Sequence, residues 1–158
     1  MGIYDERFYG LPHRAGRITG EDGEVYNELD LETITKPSGK VTVMNAVSVT
    51  TGSDSEAIPI AASGYDAVAI LVTADFPVSP TDDLNVNFYA SLDGITWSTQ
   101  NVQSVTLDSG TDPSREMVLI DEPYPYVKAT AARSGSTDTI TVTIEYVGIR
   151  YKKTGVAV

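Results

Sequence analysis

The chain contains no cysteine and a single histidine, His13. Without cysteine, disulfides and thiolate metal sites are excluded, and nothing indicates a disulfide-stapled secreted scaffold. A Ser-His-Asp triad or a histidine-rich metal site would depend on His13 alone, whereas a triad needs three convergent groups. The glycines do not form either standard phosphate-binding loop. We therefore predict no catalytic residue, no cofactor-binding residue and no metal ligand, and we expect the chain not to be an enzyme.

Basic residues are also scarce: 11 Lys and Arg stand against 22 Asp and Glu, for a formal net charge of −11. A surface that binds DNA or anionic lipid needs clustered cations. No apolar run approaches the roughly 18 residues of a membrane helix, and the N-terminus lacks a basic segment followed by an apolar run. We expect no nucleic-acid partner, no membrane partner and synthesis in a cytoplasm. A Ca²⁺ site built from loop carboxylates stays open, although their spacing matches no EF-hand loop.

The clearest pattern is a two-residue alternation in residues 84–97. Val86, Phe88 and Ala90 alternate with polar or amphipathic neighbours, as in a strand with one buried face. Asp93-Gly94 predicts a tight turn, after which Ile95 and Trp97 are expected to resume the strand.

The same pattern recurs at spacings near ten residues from about residue 41 to 152, separated by Gly, Pro and Asp turns. The sequence predicts an all-β fold: a single antiparallel β-sandwich or jelly roll of about eight strands in residues 41–158. Residues 67–72 (AVAILV) are apolar on both faces, which suggests a central strand covered on both sides. A phase change at Gly148 predicts a β-bulge in the last strand. The predicted core residues are Val43, Val68, Ile70, Val86, Phe88, Val118, Ile120, Ile140, Val142 and Ile144.

Residues 1–40 lack any sustained period and form a predicted extended N-terminal arm. Three arginines precede a run of acidic residues between positions 21 and 32. About ten large apolar side chains lie in the arm, which favours an arm docked on a partner surface over a solvated tail. The predicted interaction residues of the arm are Tyr4, Arg7, Phe8, Tyr9, Arg14, Arg17 and Tyr26.

Trp97, the only tryptophan, has two interpretations. A large aromatic just past a hairpin is usually a core residue. If it instead lies in a groove beside free polar groups, it can stack on a sugar ring.

Residues 91–97 (SLDGITW) resemble the S-x-D-G-x-x-W hairpin of two groups of β-sandwich proteins, with Ser91, Asp93, Gly94 and Trp97 at the motif positions. One group is the virion proteins of tailed bacteriophages, including capsid decoration (cement) and neck or tail proteins. The other is the discoidin jelly rolls, which bind glycans and lipids. Discoidin domains commonly carry bracketing cysteines and are secreted, and this chain shows neither feature.

The resemblance therefore favours a structural virion protein of a tailed phage, made in the host bacterial cytoplasm and located in the virion. A capsid decoration protein is the first expectation, a neck or tail component the second, and a discoidin-like carbohydrate-binding module the third. The partners implied are other copies of the chain, as a homo-oligomer such as a trimer, and the major capsid protein or another virion protein. In a virion protein Trp97 is expected to be buried.

Overall fold

The computed structural model describes residues 18–19, 25–26 and 38–151. The chain divides into two compact units, residues 36–150 and residues 1–35 with 151–158. In the latter unit two short strands, β1 (Ile18–Thr19) and β2 (Val25–Tyr26), pair antiparallel with Ile18 opposite Tyr26. The predicted arm residues Tyr4, Arg7, Phe8, Tyr9, Arg14 and Arg17, and also His13, lie outside the described residues.

Nine strands make up almost all the regular structure of residues 38–150, and this described part contains no α-helix. The strands are β3 (Val41–Val49), β4 (Ser53–Asp54), β5 (Ile58–Pro59), β6 (Ala67–Asp75), β7 (Leu84–Ser91), β8 (Gln103–Leu107), β9 (Ser114–Ile120), β10 (Tyr126–Arg133) and β11 (Ile140–Ile149). One 3-10 turn, Ala61–Ser63, precedes β6.

The strands form two antiparallel sheets that pack together as a β-sandwich. One sheet has the order β3-β11-β6-β9, and the other has the order β4-β10-β7-β8 with β5 also paired to β10. The predicted all-β antiparallel sandwich is therefore confirmed, with nine strands where about eight were expected.

The core lies between the sheets and is made by the inward half of each alternating strand. In β6, the even-numbered residues from Val68 to Ala74 are buried, while Ala69 and Leu71 are half-buried on the outer face. Nine of the ten predicted core residues are buried, and Phe88 is the largest fully buried side chain among the described residues.

The exception is Val43, which is only partly buried, while its neighbour Met44 takes the core position. The pairing of β3 with β11 shifts register on both sides of the Met44–Ile144 pair, so β3 holds extra residues there. Ala46 has a positive φ of 49°, and its N–H donates to Thr143 Oγ1 at 3.1 Å. Such bulges reverse which side chains of a strand face the core. Strict alternation therefore predicted Val43 instead of Met44 as the core residue.

The bulge predicted at Gly148 is wrong. β11 keeps its inward-outward alternation to its end and pairs with β6 in unbroken register from Thr141 to Ile149. Gly148 is instead required by a close approach: a Cβ at this position would lie 2.5 Å from ring atoms of Tyr65. The Tyr65 ring is in turn 5.1 Å from the guanidinium of Arg150, in cation–π geometry.

Gly148→Ala is expected to lower the free energy of unfolding by about 1–3 kcal/mol, because the methyl group must displace the Tyr65 ring from a packed position. The measurement is urea unfolding followed by far-ultraviolet circular dichroism. Gly52→Ala is the control, since its added Cβ would meet only the carbonyl oxygen of Ala131 at 3.9 Å. Equal stability of the two variants would contradict the packing role of Gly148.

Candidate functional site

The described part of the chain holds no group of three or more His, Cys, Asp or Glu side chains that could bind a metal ion. In the same part, no helix is long and apolar enough to cross a membrane. Two surface features of the described residues are candidate sites: the hydrogen-bonded loop after β7 with a cavity beside it, and an exposed apolar face of the four-stranded sheet. Of the predicted arm residues, only Tyr26 falls on described backbone, in β2.

Ser91 and Asp93 hold the loop that follows β7 in a fixed shape. The Ser91 hydroxyl donates to Asp93 Oδ1 at 2.9 Å and accepts the N–H of Gly94 at 2.9 Å. Asp93 Oδ1 also accepts the N–H groups of Ile95 and Thr96, both at 2.8 Å. Gly94 has a φ of 75°, a backbone conformation that residues with a side chain rarely adopt. The four motif positions thus meet in one turn, with Trp97 bridging back to Ser91.

The strand predicted to resume at Ile95 does not form. Apart from the single bridge between Ser91 and Trp97, no ladder follows the turn, and the next strand begins at Gln103. The reason is local: the Asp93 carboxylate takes the N–H groups of Ile95 and Thr96 that a strand would need for pairing. Ile95 is left 81% exposed.

This hydrogen bonding lowers the pKa of Asp93 from its ordinary value of 3.8 to about 2, with the N–H of Thr96 as the largest cause, followed by those of Ile95 and the Ser91 hydroxyl. A carboxyl with a depressed folded-state pKa stabilises its structure above the unfolded value and loses that contribution as the pH falls through the folded value. The loop should therefore keep its shape down to about pH 3.

We expect the fluorescence of Trp97, the only tryptophan, to stay constant on acidification until a transition centred near pH 2. In Asp93→Asn the amide oxygen can still accept the two loop N–H groups but does not titrate, so this transition should disappear. A transition of the same midpoint in Asp93→Asn would assign it to other carboxyl groups.

Trp97 is half-buried and lines a surface cavity of about 380 Å³, so its expected place in the core is wrong. The cavity walls are Ala90, Ser91, Leu92, Thr96, Trp97, Ser98 and Tyr124. Lys128 Nζ lies 5.3 Å from the centroid of the Trp97 ring and 2.5 Å from Asp54 Oδ2. The hydrogen bond from Lys128 is the main reason that the pKa of Asp54 is lowered.

The two serine hydroxyls of this cavity are already engaged within the loop. Ser91 Oγ is bonded as described above, while Ser98 Oγ donates to the carbonyl oxygen of Gln100 at 2.7 Å and accepts the N–H of Ala90 at 3.2 Å. A sugar bound in this cavity would need hydrogen-bond partners other than these two serine hydroxyls.

The second candidate surface is the outer face of the four-stranded sheet. Leu71 lies in register between Met117 of β9 and Glu145 of β11, and Ala69 lies between Leu119 and Val147. We call Ala69, Leu71, Met117, Leu119 and Val147 the apolar face. Met117 is 65% exposed and Leu119 is 51% exposed. Directly paired residues on one face are in contact range of each other, so these side chains form a continuous patch.

Charged and polar groups border the apolar face. Lys40 Nζ lies 2.7 Å from Glu145 Oε1, and the hydrogen bond from Lys40 is the main reason that the pKa of Glu145 is lowered. Further along the same outer face, Thr73 lies in register between Arg115 and Thr143. An apolar centre with a polar border is typical of a protein–protein contact.

Two buried aspartates, Asp82 and Asp138, hold together the loop that follows β6 and the loop that precedes β11. Asp138 Oδ2 accepts the N–H groups of Thr81 and Asp82 at 2.6 and 2.8 Å. Asp82 Oδ2 accepts those of Thr137 and Asp138, both at 2.9 Å. The Arg133 guanidinium donates to the carbonyl oxygen of Asp138. Each carboxylate thus satisfies backbone donors of the other's loop, which is a structural role.

No family model matches this chain, and no curated protein matches it.

Proposed function

We propose that the chain is a structural virion protein of a tailed phage, and specifically a capsid decoration protein that stabilises the head through self-association and its N-terminal arm. The observation that carries the proposal is the apolar face. The closed sandwich does not require exposed Leu and Met side chains on the outer face of its edge strand β9, and such patches mark interaction sites. The proposal assigns the chain no catalytic step and no cofactor.

The shape of the face supports an assembly role. It lies on β6, β9 and β11, which are held by continuous antiparallel ladders, so a partner meets a preformed surface and little ordering entropy is lost on binding. The SLDGITW loop supports the same reading through its resemblance to virion hairpins. A neck or tail component of the virion would use the same face with a different partner and in fewer copies.

The test uses particles assembled from the genome that encodes this chain, with and without a stop codon early in its reading frame. Purified protein is added back to the deficient heads, and co-sedimentation and the temperature of DNA release are measured. We expect binding at many copies per head and a higher release temperature. A few copies at one vertex in electron micrographs would favour the neck or tail role, and no binding to any particle would overturn the proposal.

A specific observation also favours the second candidate, a carbohydrate-binding module: Trp97 is not buried as expected for a virion protein, but is half-buried and lines a surface cavity with Tyr124. The engaged hydroxyls of Ser91 and Ser98 weigh against it. A glycan array separates the two functions. We expect no reproducible glycan binding, whereas binding that is lost in Trp97→Ala would replace the virion proposal with the carbohydrate-binding one.

A further inference from the structure

We infer that the apolar face of one copy is the docking site for residues 1–17 of a second copy. The inference rests on the proposed function, because it names the partner through which the chain would self-associate. Three observations carry it: the place where the chain enters the sandwich, the length of chain before that place, and the distribution of charge.

The chain enters the sandwich at the edge of the apolar face. The N–H of Ser38 donates to the carbonyl oxygen of Gly148 at 2.9 Å, and the N–H of Gly148 donates to Ser38 Oγ at 2.6 Å. Gly148 follows Val147 of the apolar face, and Lys40 borders that face through Glu145. Residue 38 is therefore fixed beside the face, and the residues before it start from there.

Thirty-seven residues precede Ser38. The pairing of β1 with β2 brings Ile18 beside Tyr26, so the reach of residues 1–17 from Ser38 depends on residues 26–37, which span roughly 40 Å at about 3.3–3.6 Å per extended residue. A domain of this size has a radius of gyration near 13 Å, so the segment is long enough to reach the same face on a neighbouring copy. Its first part supplies large apolar groups, among them Tyr4, Phe8 and Tyr9, and each large side chain that is fully buried contributes about 1.5–3 kcal/mol.

Charge favours the first seventeen residues as the part that docks. They carry three arginines against Asp5 and Glu6, for a net charge of +1, which leaves −12 on the rest of the chain. Residues 18–158 therefore carry an excess of negative charge, which a net-positive segment of a second copy can partly offset. The end of β9 that borders the face continues into the exposed acidic residues Asp121 and Glu122, which are suitable partners for Arg14 and Arg17. Such pairs would set the register of docking more than its affinity.

The absence of native cysteine allows a direct test on the full chain. Phe8→Cys and Met117→Cys are made as separate single variants, one of them with a size tag, and mixed under mild oxidation. We expect a mixed disulfide dimer in much higher yield than from the control pair, Phe8→Cys with Val78→Cys. Val78 is 97% exposed and lies beyond the end of β6 opposite the apolar face, so it offers an accessible thiol at the wrong place.

A mixed-dimer yield no higher than that of the control pair would overturn the inference. So would a Phe8→Cys/Met117→Cys double variant that closes its disulfide within one chain and leaves none between chains, because the arm would then dock on its own sandwich. The particle experiment is independent: deficient heads that bind the protein while no mixed dimer forms would leave the proposed function standing and remove only this inference. A mixed dimer without any particle binding would support the docking of one copy on another and remove the proposed function.

Discussion

Phe88→Ala is expected to lower the free energy of unfolding by about 3–5 kcal/mol. Phe88 is fully buried at the centre of β7, where it lies in register between Ala129 of β10 and Gln103 of β8. Because its neighbour in β10 is a small alanine, no adjacent large side chain on that strand can fill the space, and the cavity term adds to the lost transfer free energy. A loss of this size is a large fraction of the stability of a typical domain.

The measurement is urea unfolding at one fixed protein concentration, since self-association would itself contribute to apparent stability. Ile95→Ala is the control, because it also truncates a large apolar side chain to alanine, but at a position that is 81% exposed. We expect the control to change the free energy of unfolding by less than about 0.5 kcal/mol. A Phe88→Ala variant as stable as Ile95→Ala would mean that the two sheets do not pack on this side chain.

Gly135→Ala is expected to cost about 2–4 kcal/mol, from overpacking and lost hydrogen bonds together. A Cβ at Gly135 would lie 2.0 Å from Asp82 Oδ1 and 2.8 Å from its Cγ. The carboxylate would have to move, and its hydrogen bonds from the N–H groups of Thr137 and Asp138 would be broken. Both of these donors lie in the loop that leads into β11.

Gly39→Ala is the control for this substitution, because nothing lies within 4 Å of its added Cβ. We expect Gly39→Ala to unfold at the same urea concentration as the unmodified chain. To show that the loss comes from the Asp82 carboxylate, Gly135→Ala is also made in an Asp82→Ala background, where it should cost much less. An equal cost in both backgrounds would place the strain elsewhere.

The alternation of side chains predicted the fold well because one face of most strands is buried. It succeeded for β6, β7 and β11, and it identified Phe88 and Ile144 as core residues. It failed at Val43, where a bulge exchanges faces without a glycine or proline to mark it. It also misread Gly148, whose absent side chain makes room for Tyr65, a residue 83 positions away. Contacts between distant residues leave no local pattern.

The candidate sites were predicted less completely. The residues of the loop turn were predicted correctly. The spacing of these residues does not show that the Asp93 carboxylate accepts two backbone N–H groups, which ends the strand and leaves Trp97 beside a cavity. The apolar face did leave a signal. The run AVAILV is apolar on both faces and predicted a strand covered on both sides. Its inner face is buried as expected, whereas Ala69 and Leu71 on its outer face are only half-buried.

The most direct test of the assembly function is the mass of the full chain in solution, measured by sedimentation equilibrium over a range of micromolar concentrations. The account predicts a multiple of 16.9 kDa for the unmodified chain and the single-chain mass for Met117→Glu/Leu119→Glu, which places two carboxylates on the apolar face while sparing the core. A circular dichroism spectrum like that of the unmodified chain would show that the double variant is folded. A mass of 16.9 kDa for the unmodified chain at every concentration, or the same multiple for both proteins, would contradict the account.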